Sequence, residues 1–186
     1  LPVIKQVANT NFCDIGWKVD AATGLPLGVA PKTVRAAMAD HPDARAVFVG
    51  DPSYVGTVGD VQGLADAAHA HDLPLIVDAA WAAHFGFHPD LPAHPLQLGA
   101  DAMVTSAHKT LPAWSQAALV LARTERIDPA RLDAGVEASA TTSPAGAILA
   151  SIDAARALLA RDGSELLGAL VNRVARARAR LATVEG

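Results

Sequence analysis

One lysine of this chain follows an apolar run in a setting that suits covalent chemistry. Ser106-Ala107-His108-Lys109 comes directly after Met103-Val104, and Asp78 ends another apolar run, Leu75-Ile76-Val77. Pyridoxal phosphate needs an amine that holds its aldehyde as a Schiff base and an anion that keeps its pyridine nitrogen protonated. Lys109 is also the last lysine of the chain, after Lys5, Lys18 and Lys32. Lys109 and Asp78 therefore indicate a pyridoxal phosphate site.

Composition narrows the class of protein. A chain of 186 residues with 51% hydrophobic content predicts one globular domain with a substantial core. The net charge of -4 gives no general attraction to nucleic acid. No uncharged apolar stretch approaches the roughly 18 residues of a membrane span, so we expect no membrane association. The single Cys13 cannot form an internal disulfide and is predicted to be a bystander thiol, which fits a reducing cytoplasm.

Strands and helices are predicted to alternate along the first two thirds of the chain. Short apolar, partly β-branched runs predict strands over 46–50, 74–78, 101–105 and 117–122. Pro31 at a first helical position and Asp60 as an N-cap predict helices over 31–39 and 61–71. A short helix is predicted over 130–135. The first residues, 2–4, have the pattern of a strand interior, which favours a fragment.

The end of the chain predicts two helices separated by a break. Ser143 caps the first, which runs over 144–160. Residues 161–163 interrupt it, and Ser164 caps a second helix that ends near 183. The apolar stripe of the second helix consists of Leu166, Leu167, Leu170, Val171 and Val174.

This alternation predicts an α/β fold: a three-layer α/β/α arrangement with a mostly parallel sheet and helices on both faces. Ligands bind beyond the carboxyl ends of such strands. Three clusters follow predicted strands: Asp51-Pro52-Ser53-Tyr54, Asp78-Ala79-Ala80-Trp81 and Ser106-Ala107-His108-Lys109. We expect these clusters to meet at one edge of the sheet.

Four motifs occur in order along the chain: Asp51-Pro52-Ser53-Tyr54-Val55-Gly56; residues 77–92, Val-Asp-Ala-Ala-Trp-Ala-Ala-His-Phe-Gly-Phe-His-Pro-Asp-Leu-Pro; residues 106–111 with Ser115-Gln116; and Thr141-Thr142-Ser143-Pro144. Together they resemble the major domain of the Orn/Lys/Arg decarboxylases. These are pyridoxal phosphate enzymes of the aspartate aminotransferase fold, also called fold type I. The resemblance covers roughly residues 25 to 160.

The resemblance implies catalytic roles for two residues and a supporting role for a third. Lys109 would carry the cofactor and, once displaced by the substrate amine, move protons. Asp78 would pair with the pyridinium nitrogen, because a fixed anion favours the protonated ring, which is the better electron sink. Ala80 would form an apolar floor under the ring.

Further cofactor contacts follow from the same resemblance. Trp81 would donate its indole N–H near the cofactor phenolate or the substrate carboxylate. Ser106 and His108 would bind the phosphate. The Thr141-Thr142 region of this family helps bind the phosphate of the partner subunit, which implies a homodimer or a higher homo-oligomer.

The expected reaction is decarboxylation of ornithine, lysine or arginine to the amine and carbon dioxide, in the cytoplasm. The resemblance divides the chain into part of the large domain, 1–160, and a helix, 161–186, that leads toward a small carboxy-terminal domain. The family's phosphate-binding turn and its ring-stacking histidine would precede residue 1. Two alternatives stay open: another fold type I enzyme, such as an aminotransferase or a desulfurase-like enzyme, and a truncated homologue without catalytic activity.

Several of these residues also have purely structural interpretations. Asp78 would then cap a following helix. Tyr54 and Trp81 would be core aromatics. His69 and His71 would be the solvated end of a helix.

Two other groups of residues are not assigned to binding sites. His84, His88 and His94 share one loop, but without cysteine or acidic residues at ligand spacing we expect no metal there. Arginines near the carboxy terminus form the polar face of a helix rather than a nucleic-acid site, because the chain is acidic overall; they are Arg173, Arg176, Arg178 and Arg180.

Overall fold

The computed structural model describes residues 15–16, 18–123 and 125–184. The predicted strand at 2–4 and the bystander thiol of Cys13 lie outside these residues.

A four-stranded mixed sheet forms the centre of the fold, with the strands in the order β1-β2-β3-β4. The first three strands run parallel, and β4 pairs antiparallel with β3. All four predicted strands are confirmed, and the sheet is mostly parallel as expected. Their bounds are β1 Val47–Gly50, β2 Leu75–Asp78, β3 Ala102–Thr105 and β4 Leu119–Ala122.

Local signals explain where the first helices begin. Pro31 takes the first position of α1, and the Asp60 side chain accepts the Gly63 N–H at 2.9 Å at the start of α2. Asp128 caps α4 in the same way, through the Ala130 N–H at 2.9 Å. The helices are α1 Pro31–Asp40, α2 Val61–His69, α3 Ala107–Thr110, α4 Pro129–Ser139 and α5 Gly146–Leu181.

The core lies between one face of the sheet and the helices α1 and α2. One apolar face of α2 is buried: Val61, Leu64, Ala65 and Ala68. These side chains belong to the same core cluster as the alternate residues of the strands, Val47, Val49, Leu75, Val77 and Met103, and as Val34 of α1. Burial of this apolar surface is the main stabilising contribution to the sheet.

The opposite face of the sheet is apolar too, but it is less covered. Phe48, Val104 and Val120 alternate with the core residues and are exposed. Among the described residues, the core with α1 and α2 therefore lies on one face of the sheet, and the other face is only partly buried. No described helix combines the length and apolar character needed to cross a membrane.

The predicted break near the carboxy terminus is wrong, because α5 is one continuous helix of 36 residues. Ala145, not Ser143, is its N-cap, and Ser164 lies within it. A glycine inside a helix costs about 1 kcal/mol but leaves the hydrogen-bond ladder intact. Gly163 lies between the buried Leu159 and Leu167 at helical spacing, so packing outweighs this cost.

The predicted apolar stripe of this helix is buried only in part. Leu167 is buried and Val171 is half-buried, whereas Leu166, Leu170 and Val174 are exposed. The helix thus contacts the domain along a narrow line.

Gly163→Ala is predicted to stabilise the fold by about 0.5–1 kcal/mol, because alanine loses less backbone entropy in a helix. A Cβ at Gly163 would meet Leu159 Cβ at 3.4 Å, an ordinary contact. Gly168→Ala is the matched control, since its Cβ would lie only 3.0 Å from His88 Nε2. Urea unfolding should show a higher free energy of unfolding for Gly163→Ala than for the wild type. For Gly168→Ala the increase should be smaller, or the free energy should fall. Equal gains would contradict the packing described for α5.

Candidate active site

The carboxyl ends of the three parallel strands are joined by main-chain hydrogen bonds. Gly50 pairs with Asp78, and Asp78 with Val104. Beyond these pairs, the Asp51 N–H donates to the Asp78 carbonyl at 3.0 Å, and the Ala79 N–H donates to the Val104 carbonyl at 2.8 Å. The three predicted clusters therefore start at one edge of the sheet, as expected.

Lys109 lies in α3, the single helical turn that follows β3, and it is exposed. Its Nζ lies 4.8 Å from the centre of a Trp81 ring. Trp81 belongs to the turn after β2, so residues from two strand ends meet in this contact. With 40% of its surface exposed, Trp81 is not a core aromatic, and Tyr54, at 73%, is not one either.

Asp78 ends β2 with an exposed carboxylate. Its Oδ1 accepts the Ala80 N–H at 3.1 Å and closes a turn. Residues 79–90 form turns and bends, so Asp78 does not cap a helix there, and that structural interpretation is wrong. Ala80 itself is half-buried next to this carboxylate.

Thr105 anchors the same turn, and sequence reasoning gave it no role. Its hydroxyl donates to the Ala79 carbonyl at 2.8 Å, and the residue is buried. A hydroxyl at the end of an otherwise apolar strand, Ala102-Met103-Val104, was the signal available in the sequence. Through this bond the end of β3 positions the turn that carries Ala80 and Trp81.

Ser106 and His108 flank Ala107 at the start of α3. Ser106 is the N-cap residue, but its side chain makes no capping hydrogen bond. His108 Nδ1 lies 2.8 Å from the Ala117 carbonyl oxygen. Because a carbonyl oxygen only accepts, Nδ1 carries the proton, and Nε2 is the nitrogen left for another partner.

Asp51 closes the loop that follows β1. The carboxylate is buried, with 4% exposure, and accepts the Gly59 N–H at 2.5 Å. Within this loop the Ser53 and Thr57 hydroxyls lie 2.6 Å apart, and Thr57 Oγ1 also donates to the Pro26 carbonyl at 2.5 Å. Burial raises the pKa of Asp51 above the ordinary aspartate value, and the Gly59 N–H opposes this rise.

Three further histidines, His69, His84 and His94, are half-buried. His69 Nε2 lies 2.8 Å from the buried Asp101 carboxylate, so the interpretation of His69 as a solvated helix end is wrong. Burial lowers the pKa of His84 and of His94 below the ordinary histidine value. In the described part of the chain, no three histidine, cysteine or acidic side chains are grouped to hold a metal ion.

The fourth motif lies at the start of α5 and forms a cleft with the segment before β4. The cleft has a volume of about 340 Å³ and is lined by Gln116, Ala118, Thr141, Ser143, Ile148 and Ile152, among others. Gln116 and the Thr141-Thr142-Ser143-Pro144 motif are thus brought together.

The side chains at the carboxyl edge fit pyridoxal phosphate chemically. They offer the amine of Lys109 for the aldehyde and the Asp78 carboxylate for a ring N–H. The Ser106 hydroxyl is a donor of the kind that binds a phosphate, and His108 Nε2 is such a donor when the ring carries both protons. All four come from the ends of the adjacent strands β2 and β3.

Two solved structures share the fold of this chain. CalE6, a methionine gamma lyase from Micromonospora echinospora, matches with a TM-score of 0.53 and 23% identity, over 70% of this chain and 34% of that chain. The SepCysS-SepCysE N-terminal domain complex matches with a TM-score of 0.53 and 16% identity, over 67% and 33%. These identities show the fold alone. The class that follows is an α/β domain of fold type I, represented here by part of its large domain.

Sequence relatives then identify the family. The family model "Orn/Lys/Arg decarboxylase, major domain" matches residues 18–186, and the chain belongs to this family. Arginine decarboxylase of Bacillus subtilis is 32% identical over 91% of this chain, and that of Halalkalibacterium halodurans is 31% identical over the same share. The chain spans about a third of the length of these relatives, 34% in both cases.

Asp51→Asn is predicted to remove a pH dependence of stability. With its pKa raised by burial, Asp51 binds its proton more tightly in the folded than in the unfolded chain, so the wild type loses stability as pH rises from about 4 through the folded pKa. Asparagine stays neutral, and its Oδ1 still accepts the Gly59 N–H. Urea unfolding should therefore show that the free energy of unfolding of Asp51→Asn increases relative to that of the wild type as pH rises from about 4 to 7.

Asp60→Asn is the control for this measurement, since it replaces a hydrogen-bonding carboxylate at an exposed position. A stability difference between wild type and Asp51→Asn that stays constant over this pH range would rule out the assigned effect of burial.

Proposed function

We propose that this chain carries the cofactor-binding lysine of a pyridoxal phosphate-dependent decarboxylase that converts ornithine, lysine or arginine to the amine and carbon dioxide. The observation that carries the proposal is the placement of Lys109 and Asp78 at one edge of the sheet, on neighbouring strand ends. The relatives named arginine decarboxylase support a basic amino acid as substrate.

The bound cofactor would supply an electron sink for the electron pair left when the carboxylate departs. Lys109 would hold the cofactor and move protons at Nζ. Asp78 would keep the ring nitrogen protonated: its Oδ1 is held by the Ala80 N–H, which leaves Oδ2 for the ring. The Ala80 methyl group would support the flat ring.

The remaining side chains would orient the cofactor and the substrate. Ser106 and His108 would bind the phosphate. Because His108 Nδ1 donates to the Ala117 carbonyl, the contact would come from Nε2 of the imidazolium form. Trp81 would offer its indole N–H to the phenolate oxygen or to the substrate carboxylate. Orientation of the bond between Cα and the carboxylate perpendicular to the ring would select decarboxylation.

The assembly is also part of this proposal. The Thr141-Thr142-Ser143-Pro144 motif borders a cleft beside Gln116, and Leu166, Leu170 and Val174 of α5 are exposed. A homodimer would cover apolar surface of this kind and bring the motif to the partner's phosphate. We place the enzyme in the cytoplasm because the only cysteine cannot form an internal disulfide. From residue 161 onward, α5 would lead toward the small domain.

The first test is covalent trapping. The purified chain, mixed with pyridoxal phosphate and reduced with borohydride, is expected to carry the cofactor on Lys109, because among the described lysines it alone follows the strand that pairs with the one ending at Asp78. Peptide mapping by mass spectrometry locates the adduct.

Lys109→Arg should abolish the adduct, and Lys32→Arg, at an exposed lysine of α1, should leave it unchanged. An adduct on another lysine, or none at all, would falsify the assignment of Lys109.

Product analysis tests the reaction class. With ornithine, lysine and arginine supplied separately, one of them should yield its amine and carbon dioxide in equal amounts. Formation of a keto acid would favour an aminotransferase, and sulfide release from cysteine a desulfurase. Asp78→Asn should lower the rate of amine formation by at least about tenfold, because a neutral side chain no longer favours the protonated ring.

A further inference from the structure

Lys109 has an aromatic ring, not a carboxylate, as its charge partner. Its Nζ lies 4.8 Å from the centre of a Trp81 ring, within the roughly 6 Å range of a cation–π interaction. No described carboxylate forms an ion pair with this amine. The indole face is therefore the group that stabilises the ammonium where it lies.

Both sides of this contact are anchored. The turn that carries Trp81 is held to β3 by the Ala79 N–H and by the Thr105 hydroxyl, each bond at 2.8 Å. On the other side, the Lys109 N–H donates to the Ser106 carbonyl at 3.2 Å within α3. The Trp81–Lys109 contact thus joins two positioned segments at the edge of the sheet.

The chemistry of an amine makes this contact consequential. To attack an aldehyde, Nζ must first release a proton to solvent, after which its lone pair forms the bond to the carbonyl carbon and water leaves. The ring quadrupole attracts the cation and not the neutral amine, so the contact is lost when Nζ becomes a nucleophile.

We propose that the indole face of Trp81 holds the Lys109 ammonium and restrains this amine from attacking a carbonyl group until the ring contact is broken. Trp81 is then a positioning residue that acts through Lys109. This role rests on the proposed function and adds to it a control over when the lysine becomes a nucleophile.

A matched pair of substitutions tests the role of the ring. Trp81→Phe and Trp81→Leu introduce side chains of similar size, but only phenylalanine keeps an aromatic face. Trace labelling of the cofactor-free chain with acetic anhydride at one pH measures how fast each lysine acts as a nucleophile. Lys109 should be labelled roughly two- to fivefold faster in Trp81→Leu than in Trp81→Phe, the factor that corresponds to an exposed cation–π contact.

Lys18 and Lys32 are exposed and serve as internal references. They should be labelled at the same rate in both variants. Equal labelling of Lys109 in the two variants would overturn the inference, as would a parallel change at all three lysines.

A second measurement does not depend on replacing Trp81. With Trp17 and Trp114 changed to phenylalanine, the emission reports on Trp81 alone. Lys109→Arg keeps a cation near the ring and should preserve the emission, whereas Lys109→Met should change it. Identical emission in both variants would count against the contact.

The outcomes separate this inference from the proposed function. A borohydride adduct on Lys109 together with equal acetylation in the Trp81 pair would overturn the inference alone. Unequal acetylation of Lys109 in the two Trp81 variants, without any adduct on Lys109, would overturn the proposed function but would still support the contact between Trp81 and Lys109.

Discussion

The parallel register of β1, β2 and β3 is the constraint on which the candidate site depends. It sets Gly50, Asp78 and Val104 level across the sheet, and two further hydrogen bonds extend the ladder to Asp51 and Ala79. A slip of one residue would turn every side chain of a strand to the other face. The core residues Val47, Val49, Leu75 and Val77 prevent such a slip, so burial on one face determines the position of Asp78.

The aspartates at the two ends of the strands differ in burial and in hydrogen bonding. Before β3, the buried Asp101 accepts both the Leu75 N–H and His69 Nε2 at 2.8 Å, so its hydrogen-bonding capacity serves the fold. At the carboxyl end of β2, Asp78 is exposed and keeps an oxygen beyond its bond to Ala80. A buried carboxylate must be paired internally, whereas an exposed one can accept a ligand.

Prediction from the sequence was most accurate where local signals and packing agree. The strands and the helices α1 and α2 were predicted to within a few residues, because short apolar runs, Pro31 and Asp60 act locally. The predicted break in α5 was wrong: a local glycine signal was outweighed by the packing of Leu159 and Leu167. His69 was misinterpreted because Asp101, its partner, lies 32 positions away in sequence.

By itself, the sequence determined which chemical groups follow each strand. It also indicated the family, because motifs and strand patterns consist of residues that are neighbours along the chain. Only the tertiary structure decided which of these groups meet. The contact of Trp81 with Lys109 and the anchoring of Ala79 by Thr105 both join separate segments. Such contacts depend on strand register and on the course of the turns, which no local pattern encodes.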